Sequence, residues 1–156
     1  MPRPVVTTFG IGAGAWVLTG AGHLATVAAQ ALRPETAEAA RAFAAMRAHT
    51  VAIAGLPRDL YQLDLGMSLV MAVALVFGGL VCLLVARSAP ELVTGARSLS
   101  GLALAASLAA LGLSVWLLPV PPIALFSVAV AAFGWSLAAA RPAPAARPVQ
   151  ATAGRG

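Results

Sequence analysis

Charged side chains are missing from three long stretches of the chain, Pro4 to Leu32, Leu65 to Ala86 and Ser98 to Ala140. A helix needs about 20 consecutive apolar residues to cross the hydrocarbon core of a bilayer. The first two stretches fit one crossing each. The third is about twice that length, and Pro119, Pro121 and Pro122 interrupt its middle, where proline removes backbone donors and ends a helix. The pattern predicts an all-α fold, a four-transmembrane-helix bundle with spans at about 9–29, 61–85, 98–118 and 121–140. The last two spans form a tight hairpin.

The polar segment from Arg33 to Asp64 separates the first two spans. Pro34 suits a first helical turn. Glu35 and Glu38 lie near the start of the segment, Arg47 and His49 further on, an order that complements a helix dipole. Ala39, Phe43 and Met46 share a face. These features predict a short extramembrane amphipathic helix over Glu35–His49, lying at the membrane surface with Phe43 and Met46 dipping inward and ended by Gly55 and Pro57. Ser88 to Arg97 is expected to be a loop. Residues 141–156, rich in Pro, Ala and Arg without periodicity, are expected to form a disordered tail. Residues 1–140 then make a single integral membrane domain.

Small residues recur inside the spans and mark expected helix contacts. They are Gly10 and Gly14, with Ala21, Ala25 and Ala29, in the first span, and Ala74, Gly78 and Cys82 in the second. In the third they are Ser100, Ala103, Ser107, Ala110 and Ser114, and in the fourth Ser127, Ala131, Gly134 and Ala138. Serine hydroxyls are expected to bond across such seams or back to a carbonyl. Trp16 lies near mid-span and should face protein or acyl chain.

Composition agrees with the membrane reading. Of 156 residues, 60% are hydrophobic and 10% charged, against about 25% charged in soluble domains. The net charge of +5 comes from arginines flanking the spans, as topology control requires, so no nucleic-acid partner is expected. With one cysteine, Cys82, the chain has no intrachain disulfide or four-Cys metal site. The first span, followed by Ala29-Gln30-Ala31, imitates a secretory signal, but its uncharged run far exceeds the 7–15 residues of a signal's apolar core. An uncleaved first span is expected. With the N-terminus inside, the cytoplasm receives Arg3, Arg87, Arg97, Arg141, Arg147 and Arg155, and the outside Arg33, Arg41, Arg47 and Arg58. The positive-inside rule therefore places both termini in the cytoplasm. Tyr61, Trp116 and Trp135 fall at expected interfaces.

Candidate chemistry centres on His23, an ionisable residue well inside a span and thus a default functional candidate. Trp16, Gly20, His23 and Val27 share a helical face. The second span brings Asp64, Gly66 and Ser68 to a similar depth. Trp16, His23, Asp64, Ser68 and Met71 are the candidate ligand or polar site. The competing reading is a structural hydrogen bond from His23 to Ser68 or to a backbone carbonyl. No catalytic residues, metal site or cofactor are expected. His49 lies at the wrong depth to join His23 on a haem, zinc needs more ligands than the acids can supply, and Met67 with Met71 is more simply core.

Gly20-Ala21-Gly22-His23-Leu24, Arg58-Asp59-Leu60-Tyr61, Gly66-Met67-Ser68-Leu69-Val70-Met71 and Pro121-Pro122 resemble the pattern of a family of small, uncharacterised bacterial membrane proteins with four helices. The likeness covers about three quarters of the chain, the tail excluded, though Met67 departs from the family's aromatic residue. It implies four spans and an uncleaved first helix and carries no substrate or catalytic residues, and the expected location is a bacterial inner membrane. The function expected from the sequence is non-enzymatic, through helix packing, a homo-oligomer or a membrane protein partner in the lipid bilayer. The alternatives are a lipophilic small-molecule binding protein or small membrane enzyme with its site near His23 and, more weakly, a transporter component.

Overall fold

The computed structural model describes residues 3–95 and 97–140. Six helices and one hairpin follow in order: α1 (Arg3–Ala31), α2 (Ala37–Ala48), β1 (Thr50–Ile53), β2 (Leu56–Asp59), α3 (Leu60–Ser88), α4 (Pro90–Thr94), α5 (Arg97–Leu117) and α6 (Val120–Ala139). The fold is all-α in character, and α1, α3, α5 and α6 are long and apolar enough to cross a membrane. The tail expected at 141–156 lies outside the described residues.

α1 begins earlier than the sequence suggested because Thr7 and Thr8 do not interrupt it. Their hydroxyls donate to the Arg3 and Pro4 carbonyls one turn back, which satisfies them within the helix. α3 is N-capped by Asp59, whose carboxylate accepts from the Gln62 N–H at 2.7 Å, and α2 by Thr36, whose hydroxyl accepts from Ala39 N–H. α6 starts on a proline-rich turn after Pro119, so α5 and α6 fold back on one another as expected.

α1 is the central helix, packing along α3 on one side and α6 on the other, while α6 also packs along α5. The hydropathies explain this order. α1 has the lowest mean hydropathy of the four long helices, 1.3, and 39% of its most apolar window is buried; α3 reaches 2.9 with 17% buried. The helix least suited to lipid is surrounded by protein and the most apolar one faces outward.

Contact between α1 and α3 is backbone-close. A Cβ on Gly79 would stand 2.7 Å from the Ala13 carbonyl oxygen, and one on Gly20 would stand 2.5 Å from that of Ala72. On the other flank Phe133 of α6 lies against Gly12, where an added Cβ would meet the ring at 2.9 Å. Phe133 also makes edge contacts with Phe9 and Trp16, with ring centroids 5.1 and 5.6 Å apart.

The expected α5 seam is present: Ser100, Ala103, Ser107 and Ser114 are buried. The other seams are met in part: Cys82 is buried and Gly78 lies against Trp16, as expected, while other positions differ. In α3 the buried positions are Ala72, Gly79, Cys82 and Ala86, whereas Ala74 is exposed. Steps of four overshoot a turn of 3.6 residues and drift off the contact face, whereas averages near 3.5 stay on it. In α6, Phe126, Ala129, Phe133 and Ser136 are buried and Ser127, Ala131 and Ala138 exposed. One large residue of α6, Phe133, fills the space that Gly12 leaves on α1, and Ala129, Ala132 and Ser136 are the small buried positions of α6. In α1, a Cβ added at Gly14 would meet nothing within 4 Å, and Ala21, Ala25 and Ala29 are exposed.

A hairpin, not anticipated from the sequence, lies between α2 and α3. Ala54 (φ 50°) and Gly55 (φ 81°) both adopt positive φ, the geometry of a two-residue type I′ turn. Ala52 pairs with Pro57. Counting from the turn, this is a non-hydrogen-bonded pair, so the missing proline N–H costs no ladder bond. Beyond the strands, Leu60 N–H donates to the His49 carbonyl at 3.1 Å. Phe43 of α2 packs edge-on to Tyr61 of α3 at 5.4 Å, and the Arg47 guanidinium lies over the same ring at 4.6 Å. These contacts hold α2 over the mouth of the bundle.

Two outcomes follow from these contacts. Gly79→Ala is expected to lower unfolding free energy in mixed micelles by about 1–3 kcal/mol, while Gly14→Ala, which meets no neighbour within 4 Å, is neutral or stabilising. Ala54→Gly is expected to relieve about 1 kcal/mol of left-handed strain and to slow hydrogen exchange at the Leu60 amide, which closes the hairpin.

Candidate functional site

The spans place polar side chains at three depths, each fixed by a neighbouring helix. Nearest the α2 end, His23 Nε2 of α1 and Ser68 Oγ of α3 share a hydrogen bond of 3.1 Å. Both residues are half-buried. Small residues set this meeting, because Gly20 lets α3 come close enough for a short serine to reach the ring.

Deeper in the bundle, Trp16 Nε1–H donates to Ser107 Oγ of α5 at 3.0 Å, and Ser107 Oγ donates in turn to the Ala103 carbonyl at 2.8 Å. The indole, which Gly78 of α3 approaches from another side, faces protein. At the end that holds the N-terminus of α1, Ser136 Oγ of α6 donates to the Val5 carbonyl at 2.9 Å. Buried polar groups need such partners, since leaving one unmet costs about 1–3 kcal/mol. Ser100 Oγ of α5 is buried without a hydrogen-bond partner among the described residues.

Of the five candidate residues, His23 and Ser68 are brought together by a direct bond. Trp16 shares a helical face with His23 but lies two turns away, about 10 Å along the axis, and its N–H is committed to Ser107. Asp64 is exposed one turn above Ser68. Met71 is exposed and lines a separate groove on α3 with Arg58, Gln62 and Gly66, which His23 does not line. The Trp16–Ser107 pair was not legible in the sequence because periodicity within a helix does not say which neighbour a face meets. The serine seam of α5 was the signal available.

No group of three or more His, Cys, Asp or Glu suited to a metal ion occurs among the described residues. Cys82 is a free, buried thiol lying in the packed core with Ala86, Val5 and Phe9. Between helices, the polar side chains of the spans form a histidine–serine bond, an indole–serine–carbonyl relay and a serine–carbonyl bond, while Thr19, Thr26 and Ser127 bond within their own helices and Ser100 has no partner among the described residues. None sets a nucleophile beside a base with a third group to orient it.

Trp16→Phe keeps the ring contact with Phe133 and removes only the N–H. It is expected to cost under about 1 kcal/mol, in keeping with hydrogen bonds between membrane helices that average about 0.6 kcal/mol, while Trp16→Ala costs about 3–5 kcal/mol. A double-mutant cycle of His23→Ala and Ser68→Ala should give a coupling of about 0.5–1.7 kcal/mol. Unfolding in mixed micelles checks both. In comparisons with known proteins, no family, no curated protein and no solved structure matches the chain.

Proposed function

We propose that the chain is a non-enzymatic integral protein of a bacterial inner membrane, acting through helix packing and a partner in the bilayer, with both termini in the cytoplasm. The observation that supports this most is the use of the intramembrane polar groups. Trp16, His23, Ser68, Ser107 and Ser136 are engaged in bonds between or within helices. Outside that frame, α3 presents Val73, Phe77, Leu80 and Leu84, each 51–67% exposed, as a continuous apolar surface. Lipid accepts such a surface, and so does a partner helix.

The cytoplasmic placement of the termini is supported by Arg3, Arg87 and Arg97, which lie at the bundle end opposite α2. Trp116 and Trp135, 81% and 64% exposed, sit toward opposite ends, as interfacial aromatics do.

A photo-cross-linking residue at Phe77 is expected to yield one discrete protein adduct in intact cells, and the same residue at Leu102 on the exposed face of α5 only lipid adducts. Lipid adducts alone from both positions would overturn the partner reading. Reporter fusions should show position 95 facing the cytoplasm and position 55 facing away. His23→Ala, at normal abundance, should leave the phenotype of the intact gene unchanged; its loss would favour a ligand or enzyme site at His23.

A further inference from the structure

The surface of α3 opposite Ser68 carries a groove of about 860 Å³ whose lining includes Arg58, Gln62, Gly66, Met67, Val70 and Met71. Its two ends differ in chemistry. Arg58, in β2, stands just outside the start of α3, and Gln62 lies in the helix's first turn. Both are exposed. Below them the lining becomes apolar, with Met67 at 75% and Val70 at 71% exposure. Gly66 has open space where a side chain would stand, and that gap deepens the groove.

Depth and charge together identify the occupant. From Leu60 to Met71 the helix descends about 16 Å at 1.5 Å per residue, close to the half-thickness of a hydrocarbon core of about 30 Å. The groove therefore runs from headgroup level to the bilayer midplane, the extent of one lipid in one leaflet. Its polar end is cationic. Arg58 spends one N–H on the Pro57 carbonyl at 3.2 Å, which leaves the guanidinium's other donors directed to its surroundings. The neighbouring Asp59 carboxylate is turned to the Gln62 N–H, and Asp64 does not line the groove. Arg47, on the same side, lies over Tyr61. A guanidinium recognises phosphate through paired N–H donors, and flexible methionines adapt to an acyl chain.

We propose that this groove is a binding site for an anionic phospholipid, with the headgroup phosphate on Arg58 and Gln62 and one acyl chain laid over Gly66 between Met67, Val70 and Met71. The site rests on the bilayer location of α3 and is independent of the partner reading.

The full chain purified in mild detergent, titrated with phosphatidylglycerol or phosphatidylcholine and read by native mass spectrometry, tests this. One phosphatidylglycerol per chain is expected to bind in preference to phosphatidylcholine. Arg58→Gln should weaken phosphatidylglycerol about fivefold, the effect of one arginine near a charged surface, and remove the preference. Gly66→Phe should weaken both lipids with charge unchanged, and Val70→Trp supplies the same block from a second position if that variant does not fold. Arg41→Gln, an exposed cation at the same end but outside the groove, should change nothing. Equal binding of the two lipids, wild-type binding by Arg58→Gln or by the steric variants, an equal loss with Arg41→Gln, or displacement by glycerol phosphate alone would overturn the proposal. The reporter fusions separate a failure of this site from a failure of the membrane reading.

Discussion

The bundle depends on the bare surface of α1. In lipid, apolar side chains gain nothing by leaving their surroundings, so helices associate through close packing and hydrogen bonds rather than the hydrophobic effect. α1 provides that packing on two sides by lacking side chains where its neighbours press. Gly20 admits the backbone of α3, and Gly79 of α3 returns the contact against Ala13. Gly12 admits the ring of Phe133. Removing the small residues from α1 would part it from both partners at once, since α3 reaches the rest of the bundle chiefly through α1.

That arrangement governs the polar groups. A serine is short, and it reaches a ring nitrogen or a foreign carbonyl only where two backbones are already close. The His23–Ser68 bond lies beside the Gly20 contact, the Trp16–Ser107 bond beside the ring of Phe133, and the Ser136–Val5 bond one turn from Phe9. The hydrogen bonds follow the packing and lock its register. His23 meets Ser68 directly, while Asp64 is exposed a turn away and is not part of that pair.

The four spans were legible because a bilayer imposes a composition. A crossing requires about 20 apolar residues without charge, and a helix with one face in water does not sustain such a run. The α5 seam was legible too, since Ser100, Ala103, Ser107 and Ser114 follow a spacing that stays on one face. The α6 seam was not. Looking for small residues selects Ser127 and Ala131, but the buried face of α6 is Phe126, Ala129, Ala132, Phe133 and Ser136, and Phe133 fills the gap that Gly12 leaves on α1. Complementarity belongs to two helices jointly, and one helix's sequence contains half of it. The hairpin escaped for a different reason. Gly55 and Pro57 read as helix terminators, but α2 already ends at Ala48, and the two residues instead fit a tight turn and a non-hydrogen-bonded strand position. Of the candidate site, the His23–Ser68 pair was legible from shared depth. The separation of Trp16 and Met71 from it depended on helix neighbours that no periodicity specifies.

The same geometry that closes one face of α3 opens the other. Its small positions, Ala72 and Gly79, are spent on α1, which leaves Met67, Val70, Val73 and Phe77 outside. At the head of that outer face the hairpin places a charge that α3 itself lacks in its first turn. Because Pro57 needs no ladder bond and Leu60 N–H is held by the His49 carbonyl, β2 runs directly into the helix with no slack, and Arg58 is fixed at the rim instead of trailing in a loop. Asp59, the next residue, is committed to capping the helix. A cation is thus retained at the head of α3, with its nearest carboxylate in sequence occupied and an apolar groove beneath it. The hairpin, which adds little to the core, sets the charge at the head of the exposed face of α3.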